Sequence, residues 1–324
     1  MTARQDPSGE VDILLSVYNG EKYLMDQLNS LLVQSYSNIR LIIRDDGSTD
    51  RSPDILKSLR MKYPNLITIL PDNAHLGTNR SYSLLLRYSS ARYSMLCDQD
   101  DVWYPDKIAR TLETMRAAEL EYGSKKPVLV HTDLSVVDEQ LQVLDKSFFH
   151  FQHINPQKDT LNRLLVQNVI TGCTVMINQP LRELALPLPD GIILPDWWLG
   201  LTAAAFGRIS CLEESTMHYR QHSANQVGPV RWSPAYIARM AGDEFANLPA
   251  SLSRTYRQAG SFYTRFGLQL SPQNQSMVKA YSQFDQFHKA SRLAAIFQYR
   301  LFKQGLTRNM GYLSTVASQP AQVV

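Results

Sequence analysis

Three carboxylates, Asp98, Asp100 and Asp101, fall within four positions of the segment Cys97-Asp98-Gln99-Asp100-Asp101-Val102-Trp103. Held this close they repel one another, so stability alone does not account for them. A divalent cation relieves the repulsion, and Mg²⁺ and Mn²⁺ take oxygen ligands and bridge to substrate phosphates. The plainer alternative is a solvated acidic turn that caps a helix beginning near Pro105. A second cluster, Asp45-Asp46-Gly47-Ser48-Thr49-Asp50, places Asp46 where a carboxylate can accept a nucleobase ring N–H or a ribose hydroxyl. The same residues also make a turn, with Ser48 or Asp50 as a helix N-cap. Asp196, in Leu194-Pro195-Asp196-Trp197-Trp198, reads either as a partly desolvated general base or as an N-cap beside two core tryptophans.

Other residues add single functions. Tyr18, in Tyr18-Asn19-Gly20, can stack on a base or simply form a turn. Arg44 and Arg80 can pair with phosphate, as can Arg220 in the polar segment His218-Tyr219-Arg220-Gln221-His222. His222 can ligate a metal or touch a phosphate, although a lone histidine is commonly structural. No histidine spacing resembles the HExxH pattern of zinc proteases.

Positioning these groups requires a scaffold, and the apolar pattern describes one. Apolar runs at 11–17, 39–43, 66–70 and 92–97 alternate with helical periodicity at 21–34, from Ser52, at 81–90 and after Pro105. That rhythm predicts an α/β fold with a doubly wound, mostly parallel sheet, whose ligands gather at the carboxyl ends of the strands. Both acidic clusters stand at such ends. Beyond Lys126 the pattern is less regular. It gives strands at 128–131 and 173–178, helices at 158–167 and 196–206, and extended segments at 209–212 and 216–220. From Trp232 helix-like stretches follow, broken by Pro234, Pro249 and Pro272. A catalytic domain over 1–231 and a helical extension over 232–324 are expected.

In combination these motifs resemble the inverting family 2 glycosyltransferases of GT-A fold, and most closely a bacterial rhamnosyltransferase-like group. The matching stretches are Ser16-Val17-Tyr18-Asn19-Gly20-Glu21, Arg44 to Asp50, Cys97 to Trp103, Asn168-Val169-Ile170-Thr171-Gly172-Cys173-Thr174, Asp196-Trp197-Trp198 and Tyr219-Arg220-Gln221-His222. They occur in the family's order and span about two-thirds of the chain. The resemblance implies that Ser16 and Tyr18 line the nucleotide base and that Asp46 reads its ring N–H. It implies further that Asp98 faces the ribose or sugar, that Asp100 holds Mn²⁺ or Mg²⁺, and that His222 completes the metal or diphosphate site. Asp196 matches the catalytic base. The implied donor is a dTDP- or UDP-sugar, with rhamnose a candidate, and the implied acceptor is a glycan or polyprenyl-linked saccharide. Where the group often carries His before Asp-Trp-Trp, this chain has Pro195. A nucleotidyltransferase is the enzymatic alternative, but it favours a glycine-rich phosphate loop where only Gly20 stands; an inactive sugar- or nucleotide-binding relative is the other. A dehydrogenase is disfavoured, because no GxGxxG follows the first strand.

Composition agrees with a globular protein: 44% of the 324 residues are hydrophobic and 19% are charged. A net charge of +3 gives no reason to expect nucleic-acid binding. Cys97, Cys173 and Cys211 form neither a disulfide framework nor a CxxC pair, which suits a reducing compartment. Without an apolar leader or an 18-residue apolar run, a cytoplasmic location is expected. The charge is uneven, however. Residues 251–310 carry nine basic groups and one acid, a balance of +8, against −5 for the rest. Interleaved with Phe262, Tyr263, Phe266, Phe284, Phe287, Phe297, Tyr299 and Phe302, these cations suggest peripheral contact with the inner face of a membrane. The competing expectation is a helical unit that packs its aromatics on the core.

Overall fold

A computed structural model of the chain describes residues 11–223 and 243–319. The boundary expected at 231/232 lies outside the described residues, as does Pro234. The first half alternates as its sequence pattern requires: β1 (Val11–Val17), α1 (Leu24–Leu32), β2 (Ile39–Asp45), α2 (Ser52–Lys62), β3 (Ile67–Ile69), α3 (Thr78–Tyr88) and β4 (Tyr93–Cys97). These strands pair in parallel in the order β3-β2-β1-β4. β1 and β4 read as nearly unbroken apolar runs because helices cover both faces of a parallel sheet.

The second half extends the same sheet with mixed directions. β5 (Val102–Trp103) and α4 (Lys107–Tyr122) follow β4, and then come β6 (Val128–Val137), β7 (Val143–Asp145), α5 (Phe148–Phe151) and α6 (Leu161–Val166). The segment expected as a strand over 173–178 begins instead with a 3-10 turn at Gly172–Thr174, and only Met176–Asn178 forms β8. α7 (Gln179–Ala185) and α8 (Pro195–Phe206) lead to β9 (Arg208–Arg220), a single 13-residue strand where two extended segments were expected. Its partner explains the continuity: β6 runs beside it in parallel from Val128 to Val137, absorbing register shifts near Asp133. The nine-stranded sheet thus has the order β3-β2-β1-β4-β8-β6-β9-β5, with β7 on β6.

Four helices close the chain: α9 (Asp243–Phe266), α10 (Pro272–Ser282), α11 (Lys289–Tyr299) and α12 (Leu306–Ser318). Their apolar faces join the same hydrophobic cluster as α6, α7 and α8. Trp198 of α8 is fully buried between Phe262 and Phe266 of α9, with ring centroids 5.3 and 5.9 Å away. Each such side chain contributes roughly 1.5–3 kcal/mol through burial, so the junction between the sheet and the C-terminal helices is strongly held. Seven of the eight aromatics noted in the tail lie in or against this core, and Phe297 is exposed. Its cations divide as well. Arg265, Arg292 and Arg308 donate to backbone carbonyls, and burial lowers the pKa of Lys303 to about 8. Arg254, Arg257, Lys279, Lys289 and Arg300 remain exposed. Among the described residues no helix is long and apolar enough to cross a membrane.

Candidate active site

Antiparallel pairing of β5 with the end of β9 builds the centre of the site. Val102 faces His218 and Trp103 faces Met217, so the acidic linker from β4 to β5 lies against Arg220 and His222. His222 Nε2 is 2.9 Å from Asp100 Oδ2, and the histidine ring rests 4.7 Å from Tyr23. Arg220 braces the same linker: its backbone N–H donates to Asp101 Oδ1 at 3.3 Å and its Nε to the Asp100 carbonyl at 3.0 Å. The rest of its guanidinium reaches the Glu139 carbonyl and the Asp26 carboxylate, both at 2.8 Å. A phosphate contact was expected of Arg220; in the structure the side chain is buried and works on the acidic loop itself.

Burial and mutual repulsion act on these acids. Asp98 accepts from the Tyr82 hydroxyl at 2.8 Å, yet burial, aided by the Asp100 charge, pushes its pKa up to about 6. Asp101 is fully buried and is driven well above the usual range by burial and then by Asp100 and Asp98. Its Oδ2 has no hydrogen-bond partner among the described residues. Cys173 joins them, its Sγ and one oxygen each of Asp98 and Asp101 lying within 4.8 Å of one another. Linear spacing gave no reason to connect Cys173 to this cluster.

The turn that carries Cys173 also borders Asp196. A Cβ placed on Gly172 would lie 3.7 Å from Asp196 Cγ, so this turn separates Asp196 from the acidic cluster by little more than its own backbone. Asp196 is not the N-cap of α8: Leu194 is, and Asp196 sits one residue inside the first turn. Asn168 Nδ2 donates to Asp196 Oδ2 at 2.9 Å. Burial nevertheless outweighs that bond and raises the Asp196 pKa to about 7. A carboxylate poised near neutrality and oriented by a neutral donor has the properties of a general base. Asn168 stands 28 residues earlier in the chain, and no periodicity links the two.

The opposite wall comes from β1 and β2. Ser16 lies at the end of β1, in register with Arg44. Tyr18 is 45% exposed beyond it, tilted on His75 at 4.5 Å. Gln99 clasps this turn to the acidic linker, accepting from Tyr18 N at 2.8 Å and donating to its carbonyl at 3.0 Å. Asp46 differs from expectation. Its oxygens accept from Leu76 N at 2.8 Å, Gly77 N at 2.9 Å, Ser81 Oγ at 2.9 Å and the Arg44 guanidinium. Burial acts to raise its pKa, but these donors outweigh it and hold it below the usual value. Asp46 therefore ties down the loop before α3. The tight turn depends on Gly47, at φ +81, where a Cβ would press on the Asn73 carbonyl. Arg80, expected at a phosphate, instead pairs with Asp190 at 3.2 Å.

The acidic linker thus borders the exposed Tyr18 turn on one side and, across the Gly172–Thr174 turn, the buried Asp196 carboxylate on the other. Residues 12–182 match the family model described as glycosyl transferase family 2. The chain belongs to that family. It is a glycosyltransferase of GT-A fold. It is 28% identical to the dTDP-rhamnosyl transferase RfbG of Shigella flexneri over 231 residues, covering 66% of this chain and 73% of that one. It is also 28% identical to a putative teichuronic acid biosynthesis glycosyltransferase, TuaG, of Bacillus subtilis, covering 67% and 82%. Among solved structures it is similar to the mannosyltransferase PcManGT of Pyrobaculum calidifontis in complex with GDP-Man and Mn²⁺. That likeness has a TM-score of 0.53 and 14% identity, and covers 97% of this chain and 81% of the other. In this family-2 chain Gln99 and Asn168 stand within the motifs with no role of their own in the sequence pattern, and Asp101 only as one of three crowded carboxylates. The positioning duties of the three depend on contacts across the fold.

Proposed function

We propose that this family 2 enzyme is an inverting, metal-dependent transferase. It moves a sugar from a nucleoside diphosphate donor to a hydroxyl of a glycan or lipid-linked saccharide, with dTDP-rhamnose as the donor. The observation that carries the reading is Asp196, buried, oriented by Asn168 and bordering the turn that also holds Cys173 beside the acidic cluster. Asp196 takes the proton of the acceptor hydroxyl as that oxygen attacks the anomeric carbon. The bond to the diphosphate breaks on the opposite face, and the electron pair leaves with the nucleoside diphosphate. One displacement needs one base and no enzyme nucleophile.

The donor set suits Mn²⁺ or Mg²⁺. Asp98 and Asp101 bring carboxylate oxygens within 4.8 Å of each other, Asp101 Oδ2 has no hydrogen-bond partner among the described residues, and Asp100 with His222 adds an oxygen and an imidazole nitrogen close by, which together suit a cation. Asp100 and His222 would hold the ion, which supplies positive charge for the departing diphosphate. Tyr18 and Ser16 line the base, and Asp98 faces the ribose or sugar. Arg220 and Asp46 position loops. The likeness to RfbG supports the rhamnosyl donor, and the Mn²⁺ complex of PcManGT supports the metal.

A thermal-shift panel of UDP, dTDP, GDP, CDP and NAD, each with and without Mn²⁺, tests this. A ligand at a hundredfold excess over Kd stabilises by about 2.7 kcal/mol. We expect a rise with dTDP that requires Mn²⁺ and is lost in Asp100→Ala. No rise with any nucleotide in the wild-type protein would overturn the reading.

A further inference from the structure

A cleft of about 670 Å³ opens between the loop that leads into α8 and the helices α9 and α10. Its lining includes Asp190, Ile193, Arg254, Arg257, Ser261 and Ser282. Ile193 stands three residues before Asp196, and three residues of chain span at most about 11 Å. The cleft therefore lies close to Asp196.

Two hydrogen bonds fix the loop in place. The Ile192 carbonyl accepts from Asn79 Nδ2 of α3, and Ile193 N donates to Gln258 Oε1 of α9, both at 2.8 Å. Behind them Tyr256 packs on Tyr281 and Phe284, with centroids 5.0 and 5.5 Å away, so the helical wall is rigid. Arg254 and Arg257 lie one turn apart on α9 and so share a face. Neither pairs with an acid among the described residues, and of the exposed tail cations these two line the cleft. Asp190, the acid in the lining, is paired with Arg80. With Asp190 taken up by Arg80, the two guanidinium groups in the lining face no carboxylate of their own among the described residues. Guanidinium pairs are suited to phosphate oxygens, which they can bind in bidentate fashion.

We infer that this cleft binds the phosphate or diphosphate ester of the acceptor, through Arg254 and Arg257, and so presents the acceptor hydroxyl to Asp196. The inference rests on the transfer reaction proposed above and adds the acceptor's chemical class. The volume falls within the range of small-molecule sites and suits a diphosphate with its first sugar.

The test is calorimetric titration of the full chain in EDTA, which removes the cation needed at the nucleotide site. The probes are inorganic pyrophosphate and farnesyl diphosphate. The variant is Arg254→Gln with Arg257→Gln, at exposed helical positions where glutamine keeps helix propensity. We expect both probes to bind wild-type protein and the variant to bind each at least about tenfold more weakly, the loss of one charge-assisted hydrogen bond. Its Mn²⁺-dependent shift with dTDP should match wild type. Tighter binding of farnesyl diphosphate than of pyrophosphate would mark a lipid-linked acceptor, and equal binding a soluble phosphorylated glycan. Equal affinity of variant and wild type, or no binding by wild type, would overturn the inference. A missing dTDP shift in wild-type protein would strike the proposed reaction instead.

Discussion

Replacing Asp196 by Asn should make the protein more stable and nearly inactive, and the stability gain should depend on pH. The folded-state pKa of about 7 compares with an ordinary value of 3.8. That is a shift of roughly three units, each about 1.4 kcal/mol, giving a ceiling of about 4 kcal/mol. Relaxation around the charge lowers the expected figure to about 2–4 kcal/mol. The sign follows from the direction. Because the folded protein holds this proton more tightly, its stabilising effect is complete below pH about 4 and is lost as pH rises through about 7. Above that, the fold carries a buried carboxylate that the amide does not impose, while the amide oxygen still accepts from Asn168. Urea denaturation of both proteins at pH 8 should show the variant about 2–4 kcal/mol more stable, or roughly 3–6 °C higher in Tm for a chain of this length. At pH 4 the difference should vanish. Turnover of the variant should fall by about 10²–10⁴, the usual contribution of a general base. A stability difference independent of pH would refute the argument from burial, and near-normal turnover would refute the assignment of the base.

Two further substitutions probe the supports. Asn168→Ala removes the hydrogen bond that favours the charged carboxylate, so the rising limb of the kcat/KM–pH profile should move up by about half to one unit; an unmoved midpoint would deny Asn168 its positioning role. Gly207→Ala tests the α8–β9 junction, where a Cβ would sit 1.8 Å from the Pro127 carbonyl oxygen that accepts from Arg208 N at 2.9 Å. A backbone atom cannot turn aside as a side chain can, so we expect a loss of about 3 kcal/mol by urea denaturation. A loss below about 1 kcal/mol would show that the junction is slack.

The local sequence determined the alternating elements of the first half, because each apolar run is short, bounded by turn residues and followed by helical periodicity. It also marked the acidic linker and Asp196 as chemically unusual, since crowded carboxylates and an acid beside two tryptophans are visible as composition alone. Tertiary structure decided what each acid does. Asp46 and Asp98 both follow strands, yet three donors from the loop and helix after β3, with Arg44 of β2, occupy the first, while the second meets Asp100 and is desolvated. Arg80 and Arg220 look alike as cations near the site. One is drawn to Asp190 and the other to backbone carbonyls, because partners 110 and 120 residues away happen to face them. The β5–β9 pairing that brings His222 to Asp100 joins positions 122 apart. Spacing along a chain reports only on neighbours within a turn or a strand. Charge, burial and proton affinity at the site are set by groups that only folding brings within a few ångströms.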